Sequence, residues 1–222
     1  MDSKGKYAVS GITGLLFIVM IILVKKYDVA AIGPAGTEVG FSKINGFFMN
    51  ILPYNDLWYN VTKYLGILAI LTVACFGIIG LTQLVKRKKL FDVDTELLLL
   101  GGLYVVMGAL YVFFEKVVIN YRPVIMEGET SPEASFPSSH TMLICVVMGS
   151  AIILFRRYIK DKKLRLVLTI VAEVIIVITV LGRLISGVHW FTDIIGGILI
   201  SICLVELYAG MFEKIKETRE NI

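Results

Sequence analysis

The sequence predicts an all-α integral membrane protein: six transmembrane helices, both termini cytoplasmic, and the polar chemistry gathered at the extracytoplasmic ends of helices three to six. Three observations predict it. Hydrophobic residues make up 57% of the 222 and charged residues only 18%, and the mean hydropathy of +0.81 is too apolar for a soluble chain. The apolar residues fall into six long runs, the first three without an Asp, Glu, Lys or Arg. Lys and Arg collect in alternate connectors between those runs.

A helix needs about 20 apolar residues to cross roughly 30 Å of hydrocarbon with every backbone polar group satisfied internally. Six segments meet this: Tyr7 to Val24, Tyr64 to Val85, Leu97 to Phe114, Phe136 to Phe155, Leu166 to Gly182 and Ile194 to Phe212. The spans consume most of the chain, so residues 1–222 read as a single six-helix domain with no separate soluble unit. The first run follows Lys4 and Lys6 and precedes Val29-Ala30-Ala31, like a cleavable signal, but it is long for a signal core and reads as a retained anchor. Residues 25–63 form the longest connector, with Gly33-Pro34, Asn50, Pro53 and Trp58, and read as an external loop lying at the interface.

Orientation follows from the basic residues. The N-terminus, the Lys86–Lys89 loop, the Arg156–Arg165 loop and the C-terminal tail hold fifteen of the 22, and the opposite side holds seven. The positive-inside rule makes the first set cytoplasmic and leaves the 115–140 loop and the 182–193 turn outside. The net charge of +4 is thus spent on membrane orientation, with the bilayer as partner and no nucleic acid implied. Cys75, Cys145 and Cys203 lie inside apolar runs, without the pairing of a redox or zinc motif, and read as packing or lipid-facing residues.

Both histidines, His140 and His189, fall on the outer side, each near a helix start. His189 and Asp193 are four residues apart, so on a helix they share a face, and the carboxylate can hold one ring nitrogen while the other stays free to attack. A metal site would want further ligands at suitable spacing, so no metal is expected. Pro137-Ser138-Ser139-His140 places hydroxyls and unpaired backbone amides ahead of the fourth helix. Such a start is a ready anion site, although a serine there is also an ordinary N-cap. Arg122 and Arg183 are guanidinium groups at the outer ends of apolar helices, suited to phosphate oxygens. Glu173 and Glu206 read as buried intramembrane acids, roughly 15 and 20 Å of helix away from this cluster.

These stretches resemble the three signature motifs of the type 2 phosphatidic acid phosphatase superfamily, which includes lipid phosphate phosphatases and bacterial undecaprenyl diphosphate phosphatases. The last motif, Ser-Arg, five residues, His, three residues, Asp, matches at Arg183, His189 and Asp193 with Gly182 in the Ser place. Pro-Ser-Gly-His matches with Ser139 replacing Gly. Lys, six residues, Arg-Pro matches only at Arg122-Pro123, because Glu115 holds the Lys position and Lys116 stands one residue late. The resemblance implies a metal-independent, cofactor-free membrane phosphatase whose substrate is a lipid phosphate or diphosphate, such as undecaprenyl diphosphate, phosphatidic acid or phosphatidylglycerol phosphate. By the same resemblance His189 is the nucleophile that becomes phosphohistidine, Asp193 its orienter and His140 the acid and later the base. Arg122, Arg183, Ser138 and Ser139, with Lys116 as a further candidate, bind the phosphate, and Glu115 pairs with a pocket cation. The alternative from another class is a membrane transporter or lipid-phosphate-binding protein that uses the same pocket without hydrolysis.

Overall fold

A computed structural model describes residues 1–220. Seven α-helices follow in order: α1 (Ser3–Lys26), α2 (Ser42–Ile51), α3 (Asp56–Arg87), α4 (Thr95–Lys116), α5 (Ser139–Tyr158), α6 (Lys162–Ile185) and α7 (Phe191–Glu220). All except the short α2 are long and apolar enough to cross a membrane. Side-chain caps fix their starts: Asp2, Asn55, Ser138 and Asp161 each accept the backbone N–H three residues on. Basic residues fill the last turns of α1, α3 and α5, where cations face the negative end of the helix dipole.

The most apolar windows of α5 and α7 are 50% buried, against 17% for α1, α3 and α6, so α5 and α7 form the centre and the others wrap them with one lipid-facing side. Glycine makes the central contact close. A Cβ on Gly197 of α7 would lie 2.9 Å from Thr141 Cβ and 3.1 Å from the Ser138 carbonyl oxygen. One apolar cluster joins Phe17, Phe114, Phe136, Leu100, Val146, Leu204 and Tyr208; a second joins Ala69, Ile144, Val147, Ala172 and Ile175 on the far side of α5. Phe17 stacks on Phe136 at 5.8 Å and meets Phe114 edge-on at 5.8 Å, which anchors the loop that leads into α5.

The segment expected to be a 25–63 loop is partly helical. The structure places α2 within it and begins α3 at Asp56, eight residues before the apolar run. Asp56 and Lys63 face outward and the small residues Thr62, Gly66 and Ala69 face inward, a helical stripe that hydropathy alone does not register. α2 is pinned by its buried Asn45, whose amide bonds Gly40 O and Thr192 Oγ1 and accepts from Thr192 N–H, while Phe48 stacks on Phe191 at 4.5 Å. The fourth span starts at Ser139 and not at Phe136, because Ser138 caps it there.

The two intramembrane acids also differ from expectation. Glu206 is only half-buried and pairs with Lys6 at 3.1 Å, tying α7 to α1. Glu173 is exposed on the outer face of α6, since α6 turns Ala172 and Ile175 inward and so points residue 173 away from the bundle.

Gly182 explains its own departure from the last motif. A Cβ there would sit 2.7 Å from Thr62 Cγ2 and 2.9 Å from the Trp58 ring, so the extended start of α3 occupies the space a serine needs. Replacing Gly by Ala in a helix gains up to about 1 kcal/mol of propensity, whereas overpacking a tight contact costs about 1–3 kcal/mol. Overpacking should win here. Gly182→Ser is expected to lower the thermal midpoint in detergent by several degrees, while Gly101→Ala, which meets nothing within 4 Å, leaves it unchanged or raises it.

Candidate active site

The ends of α4 and α6 and the starts of α3, α5 and α7 meet at one end of the bundle. The loop between α4 and α5 is not slack. Arg122 N–H donates to Glu133 O, Ser135 N–H donates to Asn120 O, and Tyr121 and Ala134 pair as an antiparallel bridge. This short ladder is clamped onto the turn before α7 by Trp190, whose indole N–H donates to Tyr121 O at 2.6 Å. It holds Arg122 and Ser135 over His189 and Asp193.

Arg183, near the C-terminal end of α6, is fully buried. Its Nη1 donates to Thr62 Oγ1 at 3.3 Å, its Nη2 lies 3.2 Å from His189 Nε2, and its Cζ stands 5.4 Å from the Tyr59 ring centroid. No carboxylate lies within ion-pair distance of it among the described residues, and its Nε has no hydrogen-bond partner. Arg122 is paired with Glu133 at 3.1 Å and also keeps a buried Nε without a partner. Burying a cation without a counter-charge costs several kcal/mol, so this end of the bundle is built to receive an anion.

His189 is buried in the turn between α6 and α7. Burial holds its imidazole well below the usual histidine range, and the charges of Arg183 and Arg122, with His140 beyond them, push it the same way. The ring is therefore neutral at physiological pH. Arginine only donates, so Nε2 accepts from Arg183 and the ring proton sits on Nδ1. That nitrogen is 3.0 Å from Ser135 Oγ, and Ser135 Oγ is 2.5 Å from Asp193 Oδ2.

The direct His189–Asp193 bond expected from the sequence is not formed. Nδ1 and Oδ2 are 3.8 Å apart, too long for a hydrogen bond. The reason is that α7 begins at Phe191, so His189 lies in the preceding turn and the helical four-residue spacing does not apply. Asp193 instead reaches back to the backbone N–H of Trp190 at 2.9 Å, the acidic half of a capping box, and Asn120 donates to its other oxygen at 3.4 Å.

His140, half-buried in the first turn of α5, packs beside Gly66, where a Cβ would come within 3.3 Å of its ring. Ser138 is fully buried and its hydroxyl accepts from Thr141 N–H and Thr141 O–H, so it acts as the helix cap; Ser139 next to it remains half-exposed at the helix start. Two expectations for the first motif change. Lys116 is exposed at the end of α4 and bonds none of these residues, and Arg122 takes Glu133 as its partner in place of Glu115, because the ladder sets residues 122 and 133 side by side. Among the described residues no three His, Cys, Asp or Glu side chains gather as a metal-ligand set. Ser135, Asn120, Tyr59, Thr62 and Glu133 were not singled out from the sequence. Only the nearness of Ser135 to Pro137 hinted at any of them.

A six-span helical bundle with two arginines and two histidines at one end defines a class of membrane protein, and this chain belongs to the PAP2 superfamily, whose family model matches residues 96–217. It is 31% identical over 134 residues to phosphatidylglycerophosphatase B of Bacillus subtilis (strain 168), an alignment covering 60% of this chain and 64% of that protein, slightly less than two thirds of its length. Its fold is similar, at a TM-score of 0.62, to the crystal structure of a transmembrane PAP2 type phosphatidylglycerolphosphate phosphatase from Bacillus subtilis. That match covers 93% of this chain and 96% of the other at 22% identity.

The depressed basicity of His189 has a consequence for stability. Its folded value lies below 6.5, so the unfolded chain binds the extra proton first. The contribution of His189 is present above pH 6.5 and is lost as pH falls below it. The drop in melting temperature between pH 7 and pH 5 should be smaller in His189→Gln than in the wild type.

Proposed function

We propose that this chain is a membrane phosphatase that hydrolyses a lipid phosphate or diphosphate through a phosphohistidine on His189. The observation that carries the reading is the buried Arg183, without a carboxylate partner, held against Nε2 of a neutral imidazole. Incoming phosphate would satisfy the free Nε groups of Arg183 and Arg122 and draw Arg183 from Nε2, which frees that lone pair to attack phosphorus. The half-exposed start of α5 at Ser139 adds helix N-terminal amides to the cradle. His140 protonates the leaving oxygen and then takes a proton from the water that cleaves the phosphohistidine.

The substrate follows from the apolar body and the relatives. A lipid keeps its tail in the bilayer while its head reaches the bundle end, and the names of the similar proteins make phosphatidylglycerophosphate the first lipid to test. The division of Lys and Arg supports a site at the extracytoplasmic face of the cell membrane. The transporter alternative draws on Glu115, Glu173 and Glu206, of which Glu206 is engaged by Lys6 and Glu173 faces outward.

Phosphate release by purified protein in detergent, across phosphatidylglycerophosphate, phosphatidic acid and undecaprenyl diphosphate, tests the proposal. Turnover is expected in EDTA, none in His189→Ala, and a loss in kcat/KM on the order of 10²–10³ in Arg183→Ala, with Lys116→Ala close to wild type. His140→Ala should recover partly on a nitrophenyl phosphate, whose leaving group needs no acid. Binding of these lipids with no release from any would leave the non-hydrolytic reading in place.

A further inference from the structure

We infer that Ser135 is the positioning residue through which Asp193 acts on His189, so that the orienting unit has three members, His189, Ser135 and Asp193, and not a direct imidazole–carboxylate pair. The inference rests on the phosphohistidine reading above.

The donors and acceptors admit one consistent direction. Arg183 donates to Nε2, so Nδ1 carries the ring proton and donates to Ser135 Oγ; the hydroxyl then has its own proton to give, and Asp193 Oδ2 at 2.5 Å receives it. A serine that merely satisfies itself in a core bonds a backbone carbonyl. Here the Ser135 hydroxyl bonds only the imidazole and the carboxylate among the described residues, and the residue is only 2% exposed. The residue is fixed from both sides. Its backbone N–H is tied to Asn120 O, and Phe136, next in sequence, lies so close to α7 that a Cβ on Gly196 would come within 2.5 Å of its ring.

The geometry matters when charge develops. As the Nε2–P bond forms and the P–O bond to the leaving group breaks, the Nε2 lone pair becomes the new bond, and the leaving oxygen takes its proton from His140. Nδ1 keeps its proton, so the ring becomes a cation. Asp193 balances that cation through two hydrogen bonds in series, which a low-dielectric site strengthens. Without the hydroxyl the gap of 3.8 Å remains, Nδ1 loses its side-chain acceptor, and the carboxylate has no path to the ring.

Three single variants, one double variant and one spectrum test this. Ser135→Ala should lower kcat on the order of 10²-fold with KM little changed, the pattern of an interaction used in the transition state. Ser135→Cys, nearly the same shape but a weak donor and acceptor, should lose most of that kcat too, and Ser135→Thr, which keeps the hydroxyl, should retain more than Cys does. In the Ser135→Ala background Asp193→Asn should add little, because the connection is already cut. The chain has two histidines, so ¹⁵N-histidine spectra show two rings. The wild-type His189 ring should be the Nδ1–H tautomer, and Ser135→Cys, with its weaker acceptor, should keep that tautomer and shift the Nδ1 resonance. Wild-type kcat in both Ala and Cys, multiplicative losses for Ala with Asn, or an Nδ1 resonance unmoved in Cys would overturn the role of Ser135. Absence of phosphate release by the wild type would instead overturn the reading beneath it, and the spectra would still decide the hydrogen-bond chain.

Discussion

The site depends on one buried charge. Arg183 lies at the end of an apolar helix with no carboxylate against it, and such a cation persists only if its surroundings return part of the desolvation cost. The Tyr59 ring face and the Thr62 hydroxyl do so in part, and both belong to the first turns of α3, which extend past the apolar run. Those turns fit only because residue 182 is glycine. The remaining deficit favours an anion, and burial, with the charge of Arg183 beside it, keeps His189 neutral. Packing, electrostatics and chemistry thus share a cause.

Precision at this end comes from the loop ladder and from the central pair of helices. Residues 120–122 and 133–135 are hydrogen-bonded to each other, and the indole of Trp190 fastens them to the turn that carries His189. Beneath them, glycines 196 and 197 let α7 approach Phe136 and the start of α5 closely. Groups from the starts of α3 and α5, the α4–α5 loop, the end of α6 and the turn before α7 therefore converge with little freedom.

Much of this was legible in the sequence. The six spans follow from hydropathy, and the convergence of Arg122, His140, Arg183, His189 and Asp193 at one end follows from counting helices through the membrane. What escaped did so for physical reasons. The first turns of α3 carry Asp56 and Lys63, so they read as loop although Thr62 and Gly66 face the core. The helical spacing of His189 and Asp193 assumed a helix that starts two residues later, and the gap it leaves is filled by Ser135 from a distant segment. Glu133 in place of Glu115 is a matter of pairing register, which no local pattern reveals. Ser138 realised its ordinary N-cap role.

On the proposed function, Nε2 of His189, flanked by Arg183 and Arg122, is where phosphorus arrives. Vanadate mimics the trigonal bipyramidal phosphoryl group in transfer, so an experimental structure of the protein with orthovanadate tests the claim most directly. Vanadium is expected to be bonded to His189 Nε2, with Arg183 moved off the ring nitrogen and both guanidinium groups on the vanadate oxygens. Vanadate elsewhere, or a site in which Arg183 still caps Nε2 with the oxyanion bound, would contradict it.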